Sequence, residues 1–233
     1  MPFSDVDDRI AEIRGIIADA VARGGHGQKV RIIAVTKTHG PDAVEAARRG
    51  GLLDVGENKV QEALDKQDAL NGSQSWAGEI RWHLIGHLQR NKVKFLERFS
   101  LLHALDSSRL ADAVHEFGKQ REKPVDALLQ VNIAGEETKG GFDAAEVEKE
   151  AERLRAMSGL RVTGVMTMAP FDADESVLRR VFAGARAARE VLIGVGHPAQ
   201  ELSMGMSGDY AVAVEEGATM VRLGTVLFGA REQ

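Results

Sequence analysis

The sequence predicts an α/β fold in which eight parallel β-strands, each followed by a helix, close into a barrel. Short apolar segments bounded by glycine recur eight times, which is typical of strands covered on both faces. Segments with helical periodicity lie between them, and such helices imply parallel strands with right-handed crossovers. The 233 residues divide into eight units of about 29 residues, the size of one βα repeat.

An open, doubly wound sheet is the alternative arrangement of the same elements. Eight units with no segment left over favour the closed (β/α)8 TIM barrel, which typically needs ~250 residues. We therefore expect one domain over residues 1–233, with an extra N-terminal helix.

Each element has a local signal in the sequence. The strands are predicted at 30–37, 52–58, 81–88, 101–107, 126–134, 161–169, 199–207 and 219–229. Helices are predicted over 41–49, 144–157 and 174–192. The first of these has Pro41 at its first position and Gly50 and Gly51 at its end. Before the first strand, Ser4 and Asp7 resemble a capping box followed by apolar residues at helical spacing, which predicts the extra helix.

Composition narrows the classes of function. The net charge of −5 and pI near 5.8 argue against wholesale binding of nucleic acid. The chain has no cysteine, which suits a reducing cytoplasm. Its first residues lack the pattern of a signal peptide, and no apolar run approaches the ~20 residues of a membrane helix. We expect a cytoplasmic protein that binds no membrane and, since no heptad pattern occurs, a monomer.

Lys37 ends the first predicted strand, in the segment RIIAVTK. Strand alternation places it on one face with Ile33 and Val35, and functional groups of a barrel collect at the carboxyl ends of its strands. A partly desolvated lysine there has a lowered pKa and offers a neutral amine to a carbonyl. The alternative is a lysine that extends to water from a strand end.

Arg222 lies between Val221 and Leu223 inside the last apolar strand. A buried guanidinium is costly unless it is paired, and no acidic residue flanks it. Its partner is therefore either a distant carboxylate or a ligand.

The loop SMGMSGD, residues 203–209, precedes a segment with helical character. Backbone N–H groups at such a helix start form a ready anion site, and Gly224 and Thr225 after the last strand offer more donors. Phosphate between the last two strand ends is a recurrent arrangement in barrels, although any one glycine-rich loop can be a simple turn.

Together these features describe a ligand with a carbonyl, a hydrogen-bond acceptor for arginine and a phosphate. Pyridoxal 5′-phosphate has all three in its aldehyde, ring nitrogen and 5′-phosphate. A sugar phosphate held as an imine by Lys37 is a further possibility.

Seven motifs then show a resemblance to a known family. They are AVTKT (34–38), VGENKVQE (55–62), WHLIGHLQRNK (82–92), VNIAGEETKGG (131–141), GVMTMA (164–169), ELSMGMSGD (201–209) and MVRLGTVLFGAR (220–231). They span nearly the whole chain, and the sequence resembles the pyridoxal phosphate homeostasis proteins. That family is similar to the barrel domain of alanine racemase and lacks the second, β-rich domain of that enzyme.

The resemblance implies a role for each matching position. Lys37 is the Schiff-base lysine and Arg222 faces the pyridine nitrogen. The phosphate is held by Ser207, Gly224 and Thr225. Asn58 lies near the ring, and His83, Asn132 and Met166 match positions near the mouth of the barrel.

The resemblance also implies a task without established turnover: to buffer or deliver pyridoxal phosphate, with enzymes that use the cofactor as candidate partners. An arginine beside the ring nitrogen keeps it unprotonated, so the ring is a poorer electron sink. Tyr210, the one tyrosine, is expected to pack in a helix rather than to act as a second acid/base. The alternative is a pyridoxal-phosphate-dependent racemase or lyase of amino acids.

Three other signals were weighed. His83 and His87, four apart in a strand, lie too far apart for a metal pair, and no metal is expected. Asp54 and Glu57 suggest paired carboxylates, but a polar network beside the ring is favoured. The basic residues between Arg90 and Arg98 are expected to form a solvated helix face.

Overall fold

Eight parallel strands close into a barrel in the computed structural model, which describes residues 3–136 and 140–229. The barrel strands are β1 (Arg31–Val35), β2 (Asp54–Glu57), β3 (Arg81–Leu84), β4 (Leu101–Leu105), β5 (Val125–Asn132), β7 (Leu160–Met166), β8 (Glu201–Ser203) and β9 (Met220–Leu223). A two-residue strand, β6 (Phe142–Asp143), pairs with the end of β5. The spatial order is β4-β3-β2-β1-β9-β8-β7-β5, and β4 pairs with β5 to close the ring. The predicted barrel is therefore confirmed over the open sheet.

Helices surround the barrel. They are α1 (Val6–Gly24), α2 (Pro41–Arg49), α3 (Val60–Asn71), α4 (Ser108–Gln120), α5 (Val147–Arg155), α6 (Glu175–Val195), α7 (Tyr210–Glu215) and α8 (Thr225–Phe228). Three 3-10 helices lie at Ala77–Glu79, Arg90–Arg98 and Ala144–Glu146. The helix predicted over 41–49 has the predicted bounds, and those over 144–157 and 174–192 are present with shifted ends.

The extra helix at the N-terminus is present, but its predicted capping box is wrong. Ser4 lies in the turn before α1, and Asp5 holds the cap position without a side-chain hydrogen bond to the helix backbone. The helix ends at Gly25, which has a φ of +69° and whose N–H bonds to the Val21 carbonyl. Termination by a left-handed glycine is a common way to satisfy the last carbonyls.

Alternation along each strand divides the apolar residues into two layers. Ile33, Leu128, Met166 and Met220 form a cluster inside the barrel. Their neighbours along the strands, such as Ile32, pack outward against the helices in the main core. Because Ile33 points inward, the face that it shares with Lys37 is the inner face of the barrel.

The segment Arg90–Arg98 presents basic residues to solvent, as expected. It is a 3-10 helix that buries Val93 and Leu96 against the outer core, while Arg90 and Lys94 are exposed. Among the described residues, no helix combines the length and apolar character needed to cross a membrane.

Candidate cofactor-binding site

Lys37 begins a turn that is separated from the end of β1 by one residue, Thr36, and it is half-buried. The next residue, Thr38, has a φ of +70°, a left-handed conformation that is uncommon for a β-branched residue. Such a conformation persists only where the surrounding structure holds it in place. The turn that carries Lys37 is therefore a defined structural feature rather than a passive exit from the strand.

Gly224 brings the end of β9 against the end of β1. The two strands are paired, with Ala34 opposite Leu223. A Cβ atom on Gly224 would lie 3.3 Å from the carbonyl oxygen of Val35, which is tighter than an ordinary contact. The lack of a side chain thus allows the loop after β9 to approach the strand end that leads into Lys37.

Ser207 connects the loop after β8 with the loop after β9. Its hydroxyl oxygen accepts a hydrogen bond from the Val226 N–H at 3.4 Å. Thr225 and Val226 form the first turn of α8, where backbone N–H groups lack acceptors within the helix. Ser207, Gly224 and Thr225 are therefore brought together, although they come from two different loops.

Arg222 is buried inside the barrel, with an exposed fraction of 5%. Its Nη1 donates to Ser203 Oγ at 2.6 Å, and its Nη2 donates to the Thr167 carbonyl at 2.9 Å. Burial lowers the pKa of Arg222 to about 10, and the charge of Asp209 opposes this shift. Among the described residues, these partners include no carboxylate, and they use two of the five N–H bonds of Arg222.

The other predicted residues occupy different levels of the barrel. Asn58 is half-buried after β2, and its carbonyl oxygen would lie 2.3 Å from a Cβ on Gly86. Met166 is buried in the inner apolar cluster. Asn132, at the end of β5, donates through Nδ2 to the Glu136 carbonyl at 2.9 Å. His83 is 2% exposed and makes its hydrogen bonds to protein groups deeper in the barrel.

Lys66, on α3, supports the turn that carries Lys37. Its ammonium group donates to the Thr36 carbonyl and to Glu57 Oε1, both at 2.7 Å, and to Glu62 Oε1 at 2.9 Å. Glu62 also accepts the N–H of Thr38. Burial raises the pKa of Glu57, against the hydrogen bonds from Lys66 and Thr36. This network was not predicted, because Lys66 lies in a helix whose sequence has no distinguishing pattern.

Asp54 and Glu57 do not form a pair of carboxylates. Asp54 points into the barrel, where it accepts two hydrogen bonds from Arg81 and one from His83. Glu57 points outward to Lys66. Strand alternation separates residues three apart onto opposite faces, so the two carboxylates belong to separate hydrogen-bond networks.

The two histidines that were weighed as a metal pair belong to different environments. His83 is buried beside Asp54, whereas His87 is exposed and bonds to Asp106 at 2.6 Å. Tyr210 begins α7 and is buried in the outer apolar core, which is the expected packing role.

Lys37, Arg222 and the glycine-rich loops thus occupy one end of an α/β barrel, which defines the general class of this protein. The family model of the alanine racemase N-terminal domain matches residues 18–232. A pyridoxal phosphate homeostasis protein of Aquifex aeolicus is 37% identical over 230 residues, covering 97% of this chain and 98% of that protein. The homologue of the same name in Escherichia coli K12 is 33% identical, covering 99% and 98%. The chain belongs to the alanine racemase N-terminal domain family, as a relative of the pyridoxal phosphate homeostasis proteins.

Solved structures agree with this assignment. PipY of Synechococcus elongatus, solved with pyridoxal phosphate bound, is 33% identical with a TM-score of 0.83, covering 96% of this chain and 100% of that one. Alanine racemase of Corynebacterium glutamicum has a TM-score of 0.73 at 17% identity, covering 97% of this chain and 62% of that one. The second likeness shows the fold alone.

The residues present fit a phosphorylated pyridine aldehyde. The close approach at Gly224 provides a backbone cradle that a side chain would obstruct. Arg222 is a buried donor with N–H bonds to spare, and the lysine required for an aldehyde lies at the adjoining strand end.

Proposed function

We propose that this chain binds pyridoxal 5′-phosphate as a Schiff base on Lys37 and serves its intracellular homeostasis by buffering or delivering the cofactor. The observation that carries the proposal is the approach of Gly224 to Val35, because it joins an anion cradle to the strand end that leads to Lys37. The names of the relatives and the PipY structure support the choice of cofactor.

In this proposal each residue has one task. Ser207, Gly224 and Thr225 hold the phosphate through a hydroxyl and backbone N–H groups. Arg222 donates to the ring nitrogen and keeps it unprotonated. Asn58 and Met166 line the ring, and His83 acts on the site from deeper in the barrel. The bound cofactor supplies the aldehyde that Lys37 captures reversibly.

We further propose that the protein holds the cofactor without catalytic turnover. Racemisation needs an acid/base on the opposite face of the ring. Tyr210, the one tyrosine of the chain, is buried in the outer core and therefore does not supply it. A racemase or lyase remains the alternative, and its test is incubation of the loaded protein with single amino-acid enantiomers. Sustained change in optical rotation would favour the enzyme.

The central test is reduction of the purified protein with borohydride, followed by mass spectrometry. We expect visible absorption before reduction and one pyridoxyl group on Lys37 afterwards. Lys37→Ala should remove both signals, whereas Lys59→Ala, which changes an exposed lysine near the site, should retain them. A pyridoxyl group at another position would overturn the assignment, and a colourless protein would favour the sugar phosphate.

The cellular setting follows from the same proposal. We propose a cytoplasmic monomer, organised as one domain, whose partners are enzymes that require the cofactor. Transfer to such an apo-enzyme, followed by recovery of its activity in the presence of a scavenger of free aldehyde, distinguishes direct delivery from release.

A further inference from the structure

A line of polar side chains runs through the barrel interior from Arg222 to Asp54. Arg222 Nη1 lies 2.6 Å from Ser203 Oγ, which lies 2.8 Å from His103 Nδ1. His103 Nε2 lies 2.9 Å from His83 Nδ1, and His83 Nε2 lies 2.9 Å from Asp54 Oδ1. We call these five residues the relay. It joins five strands, and its bond between His103 and Ser203 links residues that are 100 positions apart in the chain.

The relay is fully buried and fully connected. His103 and Ser203 are 0% exposed, and they lie beside the inner apolar cluster that contains Ile33 and Met166. Burying an imidazole costs free energy unless its nitrogens are hydrogen-bonded, and apolar residues would fill the same space at less cost. Both nitrogens of both rings have partners, so the arrangement is specific rather than incidental.

Donor and acceptor chemistry gives the relay one direction. A guanidinium only donates and a carboxylate only accepts. Starting from Asp54, the carboxylate accepts from His83 Nε2–H, so a neutral His83 ring accepts at Nδ1 from His103 Nε2–H. A neutral His103 ring then accepts at Nδ1 from the Ser203 hydroxyl, whose oxygen accepts from Arg222. Every hydrogen bond points from Arg222 towards Asp54, which assigns both rings as the neutral Nε2–H tautomer.

Nearby charges favour this direction. Hydrogen bonds from Arg81 and His83 outweigh burial and hold the pKa of Asp54 well below its usual value, so it remains an acceptor. Burial lowers the pKa of His103 well below its usual value, so it remains neutral, and the charges of Arg222 and Arg31 act in the same direction. A proton added to His83 Nδ1 would reverse the hydrogen bonds and leave the Ser203 hydroxyl proton without its acceptor.

We infer that Asp54, His83, His103 and Ser203 are positioning residues, which hold the guanidinium of Arg222 in the cofactor site through a one-way relay anchored on a carboxylate at the amino end of the barrel. The role of Arg222 in binding the cofactor rests on the proposed function. The hydrogen bonds of the relay do not, because they are present in the protein without cofactor. It supplies the distant carboxylate that a buried arginine requires, through three intervening side chains.

The first test needs no cofactor. Nitrogen-15 spectra of the labelled protein identify which imidazole nitrogen carries each proton. At neutral pH we expect the neutral Nε2–H form for both His83 and His103. A ring protonated on Nδ1, or on both nitrogens, would overturn the relay direction without reference to pyridoxal phosphate.

The second test cuts the relay away from Arg222. His83→Leu removes the hydrogen bond between the two rings, and we expect pyridoxal phosphate to bind about tenfold more weakly, the effect of one hydrogen bond to a charged group. His83→Gln should restore most of the affinity, because its carbonyl can accept from His103 while its amide donates to Asp54. Equilibrium dialysis measures both.

His197→Leu is the matched control. His197 is also buried but bonds to the Ala151 carbonyl outside the relay, so its loss should leave the cofactor affinity unchanged. Equal affinities of folded wild type and His83→Leu would overturn the inference. If the wild type binds no cofactor, the proposed function fails. The nitrogen-15 spectra of His83 and His103 then still test the direction of the relay. If His83→Leu does not fold, the tautomers of the two rings and the cofactor affinity of His83→Gln test the inference instead.

Discussion

The position of Lys37 depends on one buried ion pair. Lys66 and Glu57 have side chains that are 6% and 0% exposed, and Lys66 meets three acceptors beneath the turn after β1. Within the described residues, Glu57 Oε2 has no hydrogen-bond partner. Oε1 of Glu57 accepts two hydrogen bonds, from Thr36 and Lys66, whereas Oε2 accepts none from the described residues. The buried carboxylate therefore depends strongly on Lys66.

Replacing Lys66 with methionine is expected to reduce the free energy of unfolding by about 3 kcal/mol, because it leaves a buried carboxylate without its partner. Denaturant titration measures this loss. Since burial already raises the pKa of Glu57, the variant should be least impaired in mildly acidic solution, where that carboxyl is protonated. Lys66→Met with Glu57→Gln should regain part of the loss, and a variant as stable as wild type would contradict the argument.

The elements of the barrel meet through glycines at several strand ends. A Cβ on Gly118 in α4 would lie 1.8 Å from the carbonyl oxygen of Gly159, the residue before β7. A Cβ on Gly159 would lie 2.1 Å from the His115 carbonyl oxygen. Two small residues therefore allow the helix and the strand start to approach backbone to backbone, which no side-chain rearrangement can relieve.

Gly118→Ala should consequently move α4 away from β7 and lower the free energy of unfolding by about 2 kcal/mol. Gly194→Ala provides the control, because Gly194 also lies in the last turn of a helix, but among the described residues no heavy atom outside its own helix lies within 4 Å of its Cβ position. Gly194→Ala should raise the free energy of unfolding by up to about 1 kcal/mol, because alanine has the higher helix propensity. Thermal unfolding distinguishes the two, and equal shifts would show that the close contact does not matter.

The number and order of the strands were predictable because each one is a short apolar run with its own boundaries. Lys37 and Arg222 were singled out in the same way, since a charged residue within or shortly after an apolar strand is conspicuous. His103 and Ser203 are likewise polar residues within apolar strands, in LLHALDS and ELSM, but no role was predicted for them. Their partners lie on other strands, and no local pattern encodes which inward side chains meet across a barrel.

Across the whole molecule, the two ends of the barrel have different chemistry. The carboxyl end carries Lys37 and the glycine-rich loops, whereas charged pairs gather at the strand starts. Arg31 bonds to Glu201 between the starts of β1 and β8, and Arg81 bonds to Asp54 between β3 and β2. A groove of about 540 Å³ lies beside this amino end. The relay connects the two ends, so the charge state of Asp54 affects both stability and the candidate site.

The stability of the fold should therefore depend on pH through Asp54. Its ordinary pKa is 3.8 and the folded value is lower, so below pH 3.8 the unfolded chain binds more protons than the folded one. The stability that Asp54 contributes is present above that pH and is lost as the pH falls. Asp54→Asn should lower the free energy of unfolding by about 2 kcal/mol at neutral pH, and its difference from wild type should shrink steadily in acid.

Asp126→Asn is the matched comparison for this effect. Asp126 also bonds to an arginine, Arg161, between the starts of neighbouring strands, but that pair is more exposed. Exposed ion pairs contribute about 0–1 kcal/mol, so this variant should differ little from wild type at any pH. Urea titrations between neutral pH and pH 3 test both variants. A constant difference between wild type and Asp54→Asn across that range would mean that Asp54 is not the charged anchor of the barrel interior.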